Sequence, residues 1–305
     1  MKRHLLIGII TASFLIAGCG RTSNFAVGFQ GGTYENIVKS LDGLPGLSFK
    51  IINSSGCNDI INSVNEGKAE FGIVQLDILA DVLNKEGSRA QNVKFLMPLY
   101  IEEVHLIADK KIKSIDDLNG KTISAGGPNS GSAVTAQIIL NQLGLGREVK
   151  ELVYLEPAEG LAKLQEGKID ALFILSASPV ELLAALPKEF GDKYHLLVFN
   201  NERYDKITAD QYNYQKAVIR KNDYRWLDGD VKTIAVISSF IINKNVPDKE
   251  VTNFIKTIFS NLEELEKKHP KWKELDEDEI AWYLKNYTEQ FHPAAKRALQ
   301  SPESM

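Results

Sequence analysis

The stretch SAGGPNSGSAV at residues 124–134 consists of small and polar residues and runs directly into AQIILNQLGL, whose apolar spacing predicts a helix. The first N–H groups of a helix have no intrahelical partner and lie at the positive end of the helix dipole. Small residues at that point allow a phosphate or a carboxylate to approach the backbone closely. The stretch therefore predicts a binding site for a small anion, and the rest of the chain must indicate which anion and whether a reaction follows.

Two kinds of enzyme site can be compared with this stretch, and neither fits. Gly126 and Gly131 have the spacing of a nucleotide phosphate loop, but Ser and Ala follow where that loop needs Lys and then Ser or Thr. A serine nucleophile at Ser130 would need the G-x-S-x-G pattern, which is missing. Adjacent acids such as Glu102 and Glu103 point to opposite faces of a strand and are interpreted as solvated. The sequence predicts no catalytic residue and a protein that is not an enzyme.

The composition argues against a metal site, a cofactor and a nucleic-acid partner. The chain has two cysteines and five scattered histidines, without the close spacing that metal ligands need. A formal net charge of −4 predicts no basic surface for nucleic acid. With 44% hydrophobic and 25% charged residues, the chain has the composition of a globular protein, and its 305 residues suit two lobes.

The N-terminus, MKRHLLIGIITASFLIAGCG, has a basic start, a short apolar run and small residues before a cysteine. This order is typical of an export signal, and the apolar run is shorter than the roughly 20 residues that span a bilayer. A Cys directly after Ala-Gly resembles a bacterial lipobox. We expect a signal peptide at 1–18, lipidation at Cys19 and a tether at 19–24, which would place the protein in the periplasm or cell envelope with a lipid anchor as its only membrane attachment. An ordinary cleaved signal with a chance cysteine is the alternative.

Alternating strands and helices along the rest of the chain predict an α/β fold with mostly parallel sheets flanked by helices. VKFLMPLY and VHLIAD are interpreted as two separate strands. NEGKAEFGIVQ and QEGKIDALFIL resemble each other and indicate a helix, a glycine turn and a strand in each of two similar lobes.

Small polar residues end four predicted strands just before a helix. In open α/β sheets such loops converge on a ligand, although each loop alone could simply cap its helix. The four strand ends lie at 30–32, 54–56, 129–131 and 176–178.

An ordered series of short segments resembles the solute-binding subunits of tripartite ATP-independent periplasmic (TRAP) transporters, of the TAXI family (TRAP-associated extracytoplasmic immunogenic proteins). Each segment alone is weak, and their order from Phe29 to about Leu299 carries the resemblance. The segments are GGTY (31–34), SG (55–56), GIVQ-x-D (72–77), LY-x-E-x-VH (99–105), I-x-DL-x-GK (115–121), G-x-P-x-SGS (126–132), GKIDA (167–171), A-x-P (177–179), V-x-TIAV (231–236), F-x-NL (259–262) and HP-x-A (292–295).

The resemblance implies a two-lobed periplasmic binding protein fold (type II, Venus-flytrap). Lobe I would comprise 25–108 and 235–305, and lobe II 109–234. A monomer would close on a small carboxylate-bearing solute, an acidic amino acid or a 2-oxo or dicarboxylate, and deliver it to ion-gradient-driven TRAP permease subunits. A lipoprotein that senses the solute and signals to a membrane receptor kinase is the alternative.

The same resemblance implies the ligand contacts. They are Gly32, Thr33, Tyr34, Ser55, Gly56, Cys57, Gln75, Asp77, Asn129, Ser130, Gly131, Ser132 and Ser178. The family usually has a hydroxyl where Cys57 stands, and Cys57 could equally be a small packing residue. None of these loops contains Arg, so an Arg–carboxylate contact would have to come from Arg203, Arg220 or Arg225.

Overall fold

The computed structural model describes residues 22–86, 90–146, 148–199, 205, 207–208 and 214–301. The predicted signal peptide and Cys19 lie outside these residues. Within the described ranges, no helix is both long and apolar enough to cross a membrane.

The described strands form one ten-stranded mixed sheet. The strands are β1 (Ser23–Val27), β2 (Phe49–Asn53), β3 (Phe71–Gln75), β4 (Val93–Asp109), β5 (Thr122–Ser124), β6 (Glu151–Val153), β7 (Ala171–Ser176), β8 (Tyr194–Leu196), β9 (Gln215–Ile219) and β10 (Val231–Asn243). Their order is β2-β1-β3-β10-β4-β7-β5-β6, with β8 also paired to β4 and β9 to β10. β1 runs parallel to β2 and β3, and β5 runs parallel to β6 and β7.

Helices cover the sheet and connect its strands. They are α1 (Thr33–Ser40), α2 (Cys57–Asn65), α3 (Leu76–Glu86), α4 (Gly131–Gln142), α5 (Pro157–Gln165), α6 (Glu181–Ala184), α7 (Phe190–Lys193), α8 (Asp248–Ser260), α9 (Leu262–Lys268), α10 (Glu277–Asn286) and α11 (Pro293–Leu299). Short 3-10 turns lie at Ile115–Leu118, Lys221–Asp223 and Pro270–Glu274. The predicted α/β architecture is confirmed.

β4 is one continuous strand, so the prediction of separate strands for VKFLMPLY and VHLIAD is wrong. The residues between them stay paired with the antiparallel β10, where Glu102 lies opposite Val236 and Glu103 opposite Ala235. Both carboxylates accept hydrogen bonds from protein groups, so this acidic segment needs no solvent-exposed turn. β4 and β10 therefore lie side by side in the middle of the described sheet.

The hydrophobic core divides within these two long strands. One cluster holds β1–β3 with α1–α3 and the C-terminal helices, and along β4 it includes residues up to Tyr100. Two further clusters begin at Val104 and Ile107 and pack around β5–β7. We call the part of the chain around the first cluster the first half and the part around the other two clusters the second half.

The two similar sequence segments adopt the same local structure. Helices α2 and α5 are each followed by a glycine with positive φ, 72° at Gly67 and 70° at Gly167. A buried strand then follows, β3 in the first half and β7 in the second. The prediction of a repeated helix–glycine–strand unit is confirmed, and it places the carboxyl ends of β3 and β7 at corresponding positions.

Candidate functional site

A cavity of about 170 Å³ lies between the two halves of the molecule. The first half contributes the loops before α1 and α2 and residues of β3 and β4, and the second half contributes the loop before α4 and the end of β7. The lining residues are Gly28, Phe29, Gly32, Thr33, Tyr34, Gly56, Cys57, Ile60, Gln75, Tyr100, Glu102, Ser130, Gly131, Ser132, Leu175, Ser176 and Ala177.

Three helices begin at this cavity. The N-caps of α1 and α2 are the glycines 32 and 56, which have no side chain to occupy the first N–H groups. Ser130 caps α4 by accepting a hydrogen bond from the Ala133 N–H at 3.2 Å. Among the described residues, no acceptor pairs with the backbone N–H groups of Gly131 and Ser132. Those two groups, at the positive end of α4, are suited to an anion.

Replacement of Ser130 by alanine should lower the free energy of unfolding by about 1 kcal/mol, because the Ala133 N–H loses its acceptor. Urea unfolding of the variant and the wild type measures the difference. An unchanged midpoint and slope would show that the Ser130 hydroxyl does not stabilise α4.

The two halves touch at the edge of the cavity without room for side chains. A Cβ added at Gly131 would lie 2.0 Å from the Gln75 Oε1 atom, and one added at Gly56 would lie 2.1 Å from the Asn129 carbonyl oxygen. Gln75 and Gly56 belong to the first half, and Asn129 and Gly131 to the second. These close approaches show that the two halves are in direct contact at the edge of the cavity.

The carboxylate of Glu102 lies in the wall of the cavity and is 6% exposed. It accepts hydrogen bonds from the Tyr34 hydroxyl at 2.7 Å, from the Gln75 Nε2 at 2.7 Å, and from the Ser238 hydroxyl. Burial raises the pKa of Glu102 above its usual value, and these donors oppose that rise. The interpretation of Glu102 as a solvated acid is wrong, because β4 continues through it and turns this side chain inward.

Glu103, which was also interpreted as solvated, is likewise buried, on the opposite face of β4. Its carboxylate accepts a hydrogen bond from the Ser178 N–H at 2.8 Å. The Ser178 hydroxyl lies 3.2 Å from His105 Nε2, and the Ser178 carbonyl accepts from Lys271 Nζ at 3.2 Å. Ser178 therefore contacts a polar network outside the cavity, in contrast to its expected role as a ligand contact.

Asp77 also lies outside the cavity. Its carboxylate forms hydrogen bonds that join the first half to the second half. It accepts hydrogen bonds from the Thr135 hydroxyl at 2.6 Å and the Tyr214 hydroxyl at 3.2 Å. Thr135 belongs to α4 of the second half, and Tyr214 packs in a cluster of that half. Burial raises the pKa of Asp77 to about 7.

This raised pKa predicts that the contribution of Asp77 to stability falls as the pH rises, whereas His105, whose pKa burial lowers to about 4, contributes in the opposite direction. Between about pH 4, the ordinary aspartate pKa, and pH 7, folded Asp77 holds a proton that the unfolded chain has lost. The contribution of Asp77 to the free energy of unfolding should therefore decrease across that range, by at most about 1.4 kcal/mol per pH unit. In urea unfolding at pH 5 and 7.5, the wild type should lose stability relative to Asp77→Asn as the pH rises. The exposed Asp42→Asn is the control, and equal slopes in wild type and Asp77→Asn would contradict the assignment.

Nine of the residues that were predicted as ligand contacts line the cavity together: Gly32, Thr33, Tyr34, Gly56, Cys57, Gln75, Ser130, Gly131 and Ser132. Ser55 and Asn129 are exposed and, like Asp77 and Ser178, are not lining residues. Arg220 and Arg225 are exposed and do not line it either. Arg203 lies outside the described residues.

The sequence interpretation missed several lining residues, above all Tyr100 and Glu102. Strand alternation carries a usable signal for both, since residues two apart on β4 share a face. The lining also includes Cys57. Burial raises the pKa of the Cys57 thiol, which makes it a poor nucleophile. No group of His, Cys, Asp and Glu in the described part of the chain could hold a metal ion.

Solved structures of other proteins share this architecture. XAC2383 from Xanthomonas citri bound to ATP matches with a TM-score of 0.55 and 9% identity, over 92% of this chain and 97% of that chain. The GluR0 ligand-binding core from Nostoc punctiforme in complex with L-glutamate matches with a TM-score of 0.50 and 17% identity, over 82% of this chain and 98% of that chain. At these identities the likeness concerns the fold alone, and it agrees with the predicted two-lobed binding protein fold.

A comparison of the sequence with protein families gives the family of the chain. The NMT1-like family matches residues 25–301, which span both halves and every residue that lines the cavity. The chain therefore belongs to the NMT1-like family.

Proposed function

We propose that the protein is an extracytoplasmic solute-binding protein that holds the carboxylate of a small solute between its two halves. The carboxylate accepts hydrogen bonds from the backbone N–H groups of Gly131 and Ser132. The observation that carries this proposal is the convergence of the N-termini of α1, α2 and α4 on one cavity.

The size and charge of the cavity favour a carboxylate over a phosphate. A cavity of about 150 Å³ holds benzene, so the volume of about 170 Å³ suits a solute of roughly six to ten non-hydrogen atoms. No Lys or Arg is among the described lining residues, so the charge of a phosphate dianion would not be neutralised.

We propose that lobe I comprises 25–108 and 235–305 and that lobe II comprises 109–234. The two lobes would move about β4 and β10, the strands that both halves share. A solute favours the closed state only if it gains contacts there that the open state lacks. Contacts from Gln75 on one side and Gly131 on the other would supply that difference.

The proposal also includes a transport step, in which the protein delivers the solute to an ion-gradient-driven TRAP permease. The ordered TAXI-like segments and the NMT1-like family match support it. Lipidation at Cys19 would hold the monomer at the outer face of a membrane, close to such a permease.

A thermal-shift screen of the purified protein tests the binding function. The panel comprises small carboxylates, amino acids, sulfonates, sugars and organic phosphates. A solute at 100 times its Kd should add about 2.7 kcal/mol of stability, a shift on the order of 5–10 °C for a chain of this size. A shift with a carboxylate is expected. If no compound of the panel shifts the unfolding temperature and native mass spectrometry finds no bound solute, the proposal is overturned.

A further inference from the structure

A buried carboxylate is an unexpected neighbour for an anion-binding site. Glu102 lines the same cavity as Gly131 and Ser132, and no Lys, Arg or His among the described residues lines it. The helix N-termini form a donor-rich side of the cavity, while Glu102 brings negative charge to the same small space. A solute that carries only negative charge would accept hydrogen bonds from the helix N-termini but would be repelled by the carboxylate of Glu102.

Glu102 has one unused position for a hydrogen-bond donor. An ionised carboxylate offers about four lone-pair sites. Tyr34, Gln75 and Ser238 donate to three of them. Burial raises the pKa of Glu102, and these donors together with the positive charge of Lys271, which does not line the cavity, oppose that rise; an ammonium beside the carboxylate would oppose it further.

Two further groups beside Glu102 can accept a hydrogen bond. The hydroxyl of Tyr100 is buried and has no hydrogen-bond partner among the described residues, and Tyr100 lines the cavity. The Gln75 amide donates its Nε2 hydrogen to Glu102, and its Oε1 accepts from the Cys57 thiol at 3.6 Å and keeps a second lone pair as an acceptor. The wall around Glu102 is therefore rich in acceptors.

We infer that Glu102 determines the specificity of the site by selecting solutes that carry an ammonium group in addition to the carboxylate. The ammonium donates to Glu102, with Tyr100 and Gln75 as further acceptors, and the carboxylate rests on the N-terminus of α4. Dicarboxylates and 2-oxo acids are rejected, because their second acceptor group meets a carboxylate instead of a cation. This inference rests on the proposed binding function and narrows its solute class.

Matched pairs of solutes test the inference by titration calorimetry. 4-Aminobutanoate is compared with pentanoate, and L-alanine with 2-methylpropanoate, since each pair differs by an ammonium in place of a methyl group. Succinate and 2-oxoglutarate represent the dicarboxylates. In the wild type, at least one ammonium compound should bind 100-fold or more tightly than its methyl partner and than both dicarboxylates.

Two variants separate a specificity role from a structural one. Glu102→Gln, which keeps the shape, should erase the preference for ammonium over methyl while carboxylate binding remains. Tyr100→Phe removes only a hydroxyl without a partner, so it should fold normally and weaken the ammonium compound several-fold without changing its methyl partner.

The outcomes distinguish this inference from the proposal on which it rests. A methyl compound or a dicarboxylate that binds as tightly as the ammonium compounds would overturn the role of Glu102 and leave the binding function intact. A preference for the ammonium compound that survives in Glu102→Gln would also overturn the role of Glu102. If Glu102→Gln does not fold, an ammonium preference that is unchanged in Tyr100→Phe would overturn it instead. Absence of binding by every carboxylate tested would overturn the carboxylate assignment itself.

Discussion

Gly131→Val is expected to reduce solute affinity by at least a hundred-fold while the protein stays folded. The new Cβ would lie 2.0 Å from Gln75 Oε1, and the branched side chain would cover the amides at the start of α4. Loss of two hydrogen bonds to a charged group costs about 3–6 kcal/mol, which corresponds to roughly 10²–10⁴ in Kd. Valine is compatible with the first turn of a helix, so the fold should tolerate the change.

Gly229→Val is the matched control, because a Cβ there meets nothing within 4 Å. Calorimetry with the tightest solute of the screen gives the affinities, and circular dichroism with thermal unfolding checks the fold of both variants. Equal affinities for Gly131→Val and Gly229→Val would show that the N-terminus of α4 does not contact the solute.

Gly56→Ala is expected to prevent full closure of the two halves. Its methyl group would lie 2.1 Å from the Asn129 carbonyl oxygen, at the point where loops from opposite halves meet. Backbone atoms on both sides leave no flexible side chain that could move away, so the halves must separate. Since the proposed binding mode needs contacts from both halves, affinity should fall at least tenfold.

Small-angle X-ray scattering with and without the solute measures closure directly. The wild type should become more compact on binding, and Gly56→Ala should keep the dimensions of its unliganded form. Ser55→Ala is the control, because this neighbouring side chain is exposed and faces its own helix through Asp59. A Gly56→Ala variant that compacts as the wild type does would contradict the proposed contact between Gly56 and Asn129.

Local sequence patterns were enough to predict the fold and the loops that form the cavity. Small residues before a helix are governed by short-range geometry, so Gly56 and Gly131 could be recognised without a structure. The repeated glycine turns at Gly67 and Gly167 follow from the same kind of signal.

The parts that escaped prediction depend on contacts between distant segments. Glu102 resembles a surface acid in sequence, and only donors from three other segments of the chain explain its burial. Asp77 follows a strand that ends at the cavity, yet its carboxylate turns toward Thr135, 58 positions later in the chain. No local pattern encodes either partner set, because the tertiary fold brings these groups together.

The central claim is that a solute carboxylate rests on the start of α4, and a crystal structure with the tightest-binding carboxylate tests it most directly. We expect a carboxylate oxygen about 3 Å from the backbone nitrogens of Gly131 and Ser132, with both halves of the protein in contact with the solute. A solute that occupies the cavity with its carboxylate away from both nitrogens, or that binds outside the cavity, would contradict the account.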